Sequence, residues 1–237
     1  MKKYFLFLLL FLSVTLFCTV SLFAETNPDG SYSYSIPINV PAGINGMQPN
    51  LALEYNSSNG NGMLGVGWQL SGIGKISRDR TYTVKYDETD SFIGPRGRLV
   101  KVENEHNVYH YENESFIKVE ISDGSSVEPL QWTEYMPDGT KYIYGKHPDS
   151  FSTNSTLKNA VWYITKVVDV HGNAYTYFYK NETEPVEKVV DGATVTVDET
   201  VYVYPDKITY TEGRNIDGFK QVVFNYSDRE DVILDYS

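Results

Sequence analysis

The sequence predicts an all-β protein assembled from antiparallel hairpins behind an amino-terminal export segment, and three observations predict it. Twenty tyrosines dominate the 237-residue chain, most of them alternating with polar residues. Asp-Gly and Gly-Asn pairs recur at short spacing. No segment after residue 24 repeats its apolar residues at a helical period. Alternation of aromatic or β-branched residues with polar ones gives a segment one buried face and one wet face, the pattern of a half-buried strand.

The chain opens "MKKYFLFLLLFLSVTLFCTVSLFAETN", two lysines followed by an apolar run and small residues up to Ala24. This is the layout of a signal peptide over residues 1–24, cleaved after Ala24, so the chain is expected to be exported, secreted or held at the cell surface. Tyr4 to Ala24 is just long enough to cross a bilayer core of roughly 30 Å, which confines membrane attachment to an uncleaved form. Cys18 is the single cysteine and lies inside this segment, where Phe17 is the wrong neighbour for acylation. A chain cut after Ala24 carries no disulfide and no thiolate metal site. Removing Lys2 and Lys3 from the 20 basic residues leaves 18 against 31 acidic ones, a net charge of −13. Nucleic acid is thereby excluded as a partner, since its phosphates need clustered Lys and Arg.

The strands follow in order as "SYSYSIPINV" (31–40), "NLALEY" (50–55), "RTYTVKY" (80–86), "KYIYG" (141–145), "AYTYFYK" (174–180), "TVTVDETVYVY" (194–204), "DKITYT" (206–211) and "KQVVFNY" (220–226). Between them "NPDGS" (27–31), "MPDGT" (136–140), "VHGNA" (170–174), "VVDGA" (189–193) and "NIDGF" (215–219) supply the positive φ that tight turns require. The acidic "NETEPVEKVVDG" (181–192) reads as an exposed excursion between hairpins. The last stretch, "NYSDREDVILDYS", still reads as strand, so the β domain expected over 25–237 is expected to be incomplete at its carboxyl end, with a sheet edge left unpaired.

"PNLALEYNSSNGNGMLGVGW" (49–68) is the one glycine-rich stretch with the look of a ligand loop. A dinucleotide loop needs a helix after it to hold the pyrophosphate, and "WQLSGIGKISR" has no helical face. The expected arrangement is a strand over Leu51–Tyr55, a turn over Asn56–Gly62, close backbone approaches at Gly65 and Gly67, and Trp68 anchoring the return against the core.

No catalytic, cofactor-binding or metal site is assigned, and no small-molecule substrate. His106 and His110 have ligand spacing, but "VENEHNVYHYENES" reads as a solvated hairpin. His147 and His171 fall in loops, and no GxSxG elbow is present. Glu-x-Glu pairs at 103–105, 112–114 and 182–184, with "FSTNS" (151–155), imitate the apparatus of ADP-ribosyl transfer, yet all lie in polar, loop-like surroundings. "YDETD" (86–90) and "FNYSDREDV" lack the spacing of a calcium loop and read as solvated edges.

Gly30 to Arg78 carries a family resemblance, on "IPI" (36–38), "PAG" (41–43), "GMQPNL" (46–51), "YNS" (55–57), "GVGW" (65–68) and "LSG" (70–72). This run resembles the opening of the amino-terminal domain of the Salmonella virulence plasmid B (SpvB) family, which also opens the B components of insecticidal toxin complexes of the TcdB and TcaC type. "VWYITKVVDVHGNAYTYFYKN", "YPDKITYTEG" and "VVFNYSDREDV" resemble the family's later strands. The resemblance implies a non-enzymatic, shell-like β module of a secreted virulence or toxin-complex protein, with a toxin-complex or Rhs/YD-repeat-containing subunit as its partner. The family's transferase residues belong to a separate carboxyl-terminal domain and do not carry over. The alternative reading, drawn from the tyrosine-rich strands, is an extracellular adhesion or carbohydrate-binding β module.

Overall fold

The computed structural model describes residues 24–227 apart from 82, 114, 148–149, 154–158, 191–192 and 215. The expected leader, up to residue 23, and the expected unfinished end, from residue 228, lie outside the described residues. Eighteen strands and one 3-10 turn (Ile44–Gly46) make up the regular structure, and no α-helix occurs among the described residues. The all-β expectation therefore holds. The described residues form two compact units, one from 24–37 and 52–70, the other from 38–51 and 71–227.

The first unit is built on a four-stranded sheet in the order β1-β2-β3-β6, comprising β1 (Ala24–Thr26), β2 (Tyr32–Ile38), β3 (Leu51–Asn56) and β6 (Trp68–Ser71). "NPDGS" makes its first turn as expected: Gly30 sits at φ +81°, and the Asp29 carboxylate accepts from the Ser31 N–H at 2.9 Å. The glycine-rich stretch is architecture. β4 (Asn61–Gly62) pairs with β5 (Gly65–Val66), and the Asn56 N–H donates to the Gly67 carbonyl at 2.9 Å. Gly67 has φ +82°, and a Cβ there would run into the Tyr55 ring, so only glycine fits. Trp68 departs from expectation. It is half-exposed and packs in the first unit against Tyr55 at 5.4 Å and Tyr34 at 6.3 Å, because alternation on β2, β3 and β6 puts these aromatics on one face.

The second unit is a closed antiparallel barrel of eight strands. In chain order these are β7 (Lys75–Arg78), β8 (Phe92–Gly94), β9 (Gly97–Lys101), β10 (Val108–Tyr111), β11 (Lys118–Gly124), β12 (Pro129–Tyr135), β13 (Lys141–Gly145) and β15 (Asn159–Val168). Each of the first six pairs antiparallel with the next. β15 then closes the ring, through Trp162↔Ile76 on β7 and Tyr144↔Ile164 on β13. β14 (Phe151–Thr153) pairs beside β15, while β16 (Ala174–Val190), β17 (Ala193–Glu212) and β18 (Lys220–Val223) extend the sheet outward from it.

Eight strands leave an interior just wide enough for side chains to fill. Here the fill is aromatic: Trp132 lies 4.8 Å from Phe92, 5.3 Å from Tyr109 and 5.8 Å from Trp162, centroid to centroid. All four are buried, and the Trp162 indole N–H donates to the Pro129 carbonyl at 2.7 Å. The rings meet edge-on or tilted, the arrangements their quadrupoles favour.

Within "NETEPVEKVVDG" residues 181–187 are largely exposed, as expected, but residues 181–190 are strand and not loop. The β16–β17 ladder runs without interruption in pairing from Ala174↔Glu212 to Val190↔Ala193, with three register shifts. Alternating Val and Thr over 194–197 supply the strand propensity that the acidic composition of the facing strand obscures.

Trp162→Ala is expected to lower the unfolding free energy by about 3–5 kcal/mol, since it empties the centre of the lumen. Tyr202→Ala, on the exposed ribbon, is expected to change it by less than about 0.5 kcal/mol. Urea denaturation of the two variants beside the parent chain checks both.

Candidate ligand site at the barrel mouth

The end of the barrel beside the β8–β9 turn opens into a cavity of about 320 Å³. Its walls come from six places in the chain, Ile164 on β15 among them. Pro95 and Arg96 form the turn itself, between paired Gly94 and Gly97, where Gly97 takes φ +119°. Tyr142 and Tyr144 alternate on β13, and Tyr175 and Tyr177 alternate on β16, so each pair presents to one side of its strand. Asn50 and the 72–74 backbone complete the rim, held by the Tyr177 hydroxyl donating to the Gly72 carbonyl at 2.9 Å. Gly74 keeps the mouth open, for a Cβ there would stand 3.3 Å from Pro95 and 3.4 Å from the Tyr144 ring.

Beneath this cavity lies Glu134, fully buried at 0% exposure. Its carboxylate accepts from Arg96 at 2.9 Å, from the Tyr144 hydroxyl at 2.7 Å, and from the Tyr111 hydroxyl in a short bond. Gly94 makes room for that hydroxyl, since a Cβ there would collide with it. A buried carboxylate is tolerable only when paired and hydrogen-bonded, and this one has three donors. Burial first, and then the adjacent Glu134 charge, push the ionisation of Tyr144 and Tyr111 upward. Burial likewise raises Tyr175 and Tyr177. Around neutral pH Tyr144, Tyr175 and Tyr177 therefore stand in the walls as neutral phenols beside the Arg96 guanidinium and its Glu134 partner. A carboxylate saturated in this way is a structural anchor rather than a free base or nucleophile.

Neither Arg96 nor Glu134 stood out in the sequence, although one signal was there. Trp132 and Glu134 share a face on β12, so a charge two positions from a core tryptophan already implied a buried partner. The residues that did attract notice are not brought together. His106 lies in an exposed turn, and His110 is exposed on β10 with Nδ1 3.1 Å from the Ile117 carbonyl. Glu103, Glu105, Glu182 and Glu184 are exposed, the first two before β10 and the others on β16, while Glu114 and residues 154–155 lie outside the described residues. No group of three or more His, Asp or Glu capable of holding a metal occurs among the described residues.

Within "YDETD" Glu88 and Thr89 are exposed as a solvated edge requires, and only Asp90 departs from that reading. The Asp90 side chain is 5% exposed and ion-paired with Arg78 at 2.6 Å, while the Lys85 and Tyr86 N–H groups donate to its carboxylate at 2.9 and 2.8 Å. Most of "FNYSDREDV" lies outside the described residues. A second concavity, about 330 Å³, belongs to the first unit and is lined by Tyr32, Tyr34, Tyr55 and Trp68.

Comparison with known proteins gives a consistent picture. The family model described as SpvB, Salmonella virulence plasmid 65kDa B protein, matches residues 26–236. The mono(ADP-ribosyl)transferase SpvB of Salmonella typhimurium is 35% identical over 77 residues, which is 32% of this chain and 13% of that protein. Among solved structures, the crystal structure of TcdB2-TccC3-TEV superposes with a TM-score of 0.68 at 24% identity, covering 91% of this chain and 12% of the other. The N-terminal domain of the effector protein SpvB from Salmonella typhimurium superposes with a TM-score of 0.58 at 22% identity, covering 74% of this chain and 63% of that one. At these identities the superpositions show a shared fold, and the chain spans only a small part of its full-length relatives.

Glu134→Ala is expected to destabilise the chain by about 3–5 kcal/mol, because it leaves the Arg96 charge and two buried hydroxyls unpartnered. Stability is also expected to fall as pH rises above about 10. There the unfolded tyrosines release protons that the buried ones retain, so the unfolded state binds fewer protons than the folded state. Urea midpoints measured between pH 8 and 11 test the second expectation, and the same titration at pH 8 tests the first.

Proposed function

The chain belongs to the SpvB family, and from that premise we propose that it is a non-enzymatic structural module, which acts by assembly with a repeat-containing toxin-complex subunit. The observation that carries this reading is the superposition of 91% of the chain on one part of a TcdB2-TccC3 structure. The transferase activity of SpvB lies in its carboxyl-terminal part, whereas the likeness here is to its N-terminal domain. The geometry supports the same reading, since the buried carboxylates of Glu134 and Asp90 are consumed in holding the barrel. We assign residues 1–24 to an export leader and 25–237 to the SpvB-type β module, which places the working protein outside the cytoplasm.

Recognition by such a module falls to surface that folding does not use. The exposed half of the β16–β17 ribbon and the aromatic face of the first unit are surfaces of this kind. A module of this size contributes a rigid wall and defined contact faces to a larger assembly.

Co-expression of the full chain with a tyrosine-aspartate-repeat subunit of a toxin complex, followed by size-exclusion chromatography with light scattering, tests the proposal. A stoichiometric complex is expected, with NAD left unconsumed by the chain. Elution of the chain alone at every concentration, or NAD turnover abolished by a single Glu substitution, overturns it.

A further inference from the structure

We propose that the barrel-mouth pocket binds a neutral saccharide, most simply a terminal sugar residue of a glycan. The ligand class follows from what the walls offer. A volume near 320 Å³ lies at the lower end of the roughly 300–1,000 Å³ typical of ligand sites, which suits a sugar ring and not a long polymer. A pyranose needs an aromatic surface for its C–H face and converging polar groups for its hydroxyls. Tyr142 and Tyr175 supply aromatic surface, the second beside the Tyr177 ring, 5.8 Å away and tilted by 58°. Asn50 is exposed at the rim, and its amide both donates and accepts.

Arg96 decides the charge of the ligand. Its side chain is 35% exposed, and Glu134 engages one of its terminal nitrogens, so N–H donors of the fork remain for a ligand oxygen. Its positive charge is already balanced by a fully buried carboxylate, and the chain as a whole carries −11. A phosphate or carboxylate would find donors there but no net positive field. A purely apolar ligand would leave the guanidinium and the Asn50 amide unpaired once they lost water. A neutral polyol meets both conditions.

The site is also preorganised. Tyr144 is fixed by Glu134, Tyr177 by the Gly72 carbonyl, and the Arg96 guanidinium lies over the Tyr142 ring at 5.7 Å. Walls already immobilised by folding lose little further entropy when a ligand enters.

The test uses the full chain and a panel of methyl glycosides of glucose, galactose, mannose and N-acetylglucosamine, with glucuronate as the anionic counterpart. Saturation-transfer NMR ranks the probes and calorimetry measures the best of them. At least one neutral glycoside is expected to bind more tightly than glucuronate. Asn50→Ala and Tyr142→Ala, both at the rim and outside the Glu134 cage, are each expected to weaken it by about tenfold or more. Trp68→Ala, in the other aromatic concavity, is expected to leave the affinity unchanged. Circular dichroism of the three variants establishes that each is folded. The proposal is overturned if no neutral glycoside binds, if glucuronate binds more tightly, or if Trp68→Ala removes binding that Asn50→Ala and Tyr142→Ala leave intact.

Discussion

The second unit depends on one ten-residue strand, Asn159–Val168, because it alone closes the barrel. Its first half pairs with β7 through Val161, Trp162 and Tyr163, and its second half pairs with β13 from Ile164 to Val168. Closure of eight strands fixes the lumen at a width that side chains must fill, and Trp162, carried by this strand, is among those that fill it. The Trp132 and Tyr144 pair on β12 and β13 then has a wall to pack against, and the Glu134 cage has a floor. The pairing is costly to reach, since β7 and β15 lie more than 80 residues apart in the chain. Its loop-closure entropy must be met before the contacts return anything, which marks this barrel as a slow folder relative to helical proteins of its size.

Charge is used inside the barrel as well as outside it. Arg78, whose side chain is 1% exposed, is enclosed by Asp90 at 2.6 Å and by the carbonyls of Asn159 at 3.0 Å and Val127 at 2.5 Å. Its guanidinium also lies over the rings of Tyr86, Phe92 and Trp162. Arg96 and Glu134 form the corresponding pair at the mouth. Replacing such pairs by apolar residues is often neutral or stabilising, so their value is not in net stability. What they provide is geometry. Each ties segments distant in sequence to one position, and a slip of one residue in register would turn Arg78 or Glu134 outward and break three bonds at once.

What the sequence displayed follows from the range of the forces that made it. Turns such as "NPDGS", and the glycine at position 67, are local requirements, so the residue types reveal them directly. Alternation is also local, and it revealed strands. Ring closure is not local: nothing in "NAVWYITKVV" distinguishes a strand that closes a barrel from one at an edge. The same limit hid the mouth pocket, whose walls join residues from Asn50 to Tyr177. Trp68 shows the opposite error. A large aromatic is usually core, but β2, β3 and β6 put their aromatics on one face that stays half-exposed, and a single strand cannot show whether its apolar face is covered.

The β16–β17 ribbon shows how an exposed two-stranded arm can limit strand addition along its edge. Beyond Thr176, the pairing of β16 among the described residues is with β17, which makes its other side a sheet edge of the kind that recruits foreign strands. Pro185 removes a donor from that edge, which is where a proline is tolerated in a sheet. Glu182, Glu184 and Glu187 place like charges along it, and the register shifts at Phe178/Tyr179 and Glu182/Thr183 kink the ladder. These features discourage indiscriminate strand addition without burying the ribbon. An edge guarded in this way stays exposed without accepting every strand it meets, and the acidic residues that guard it are the same ones that made the segment look like a loop.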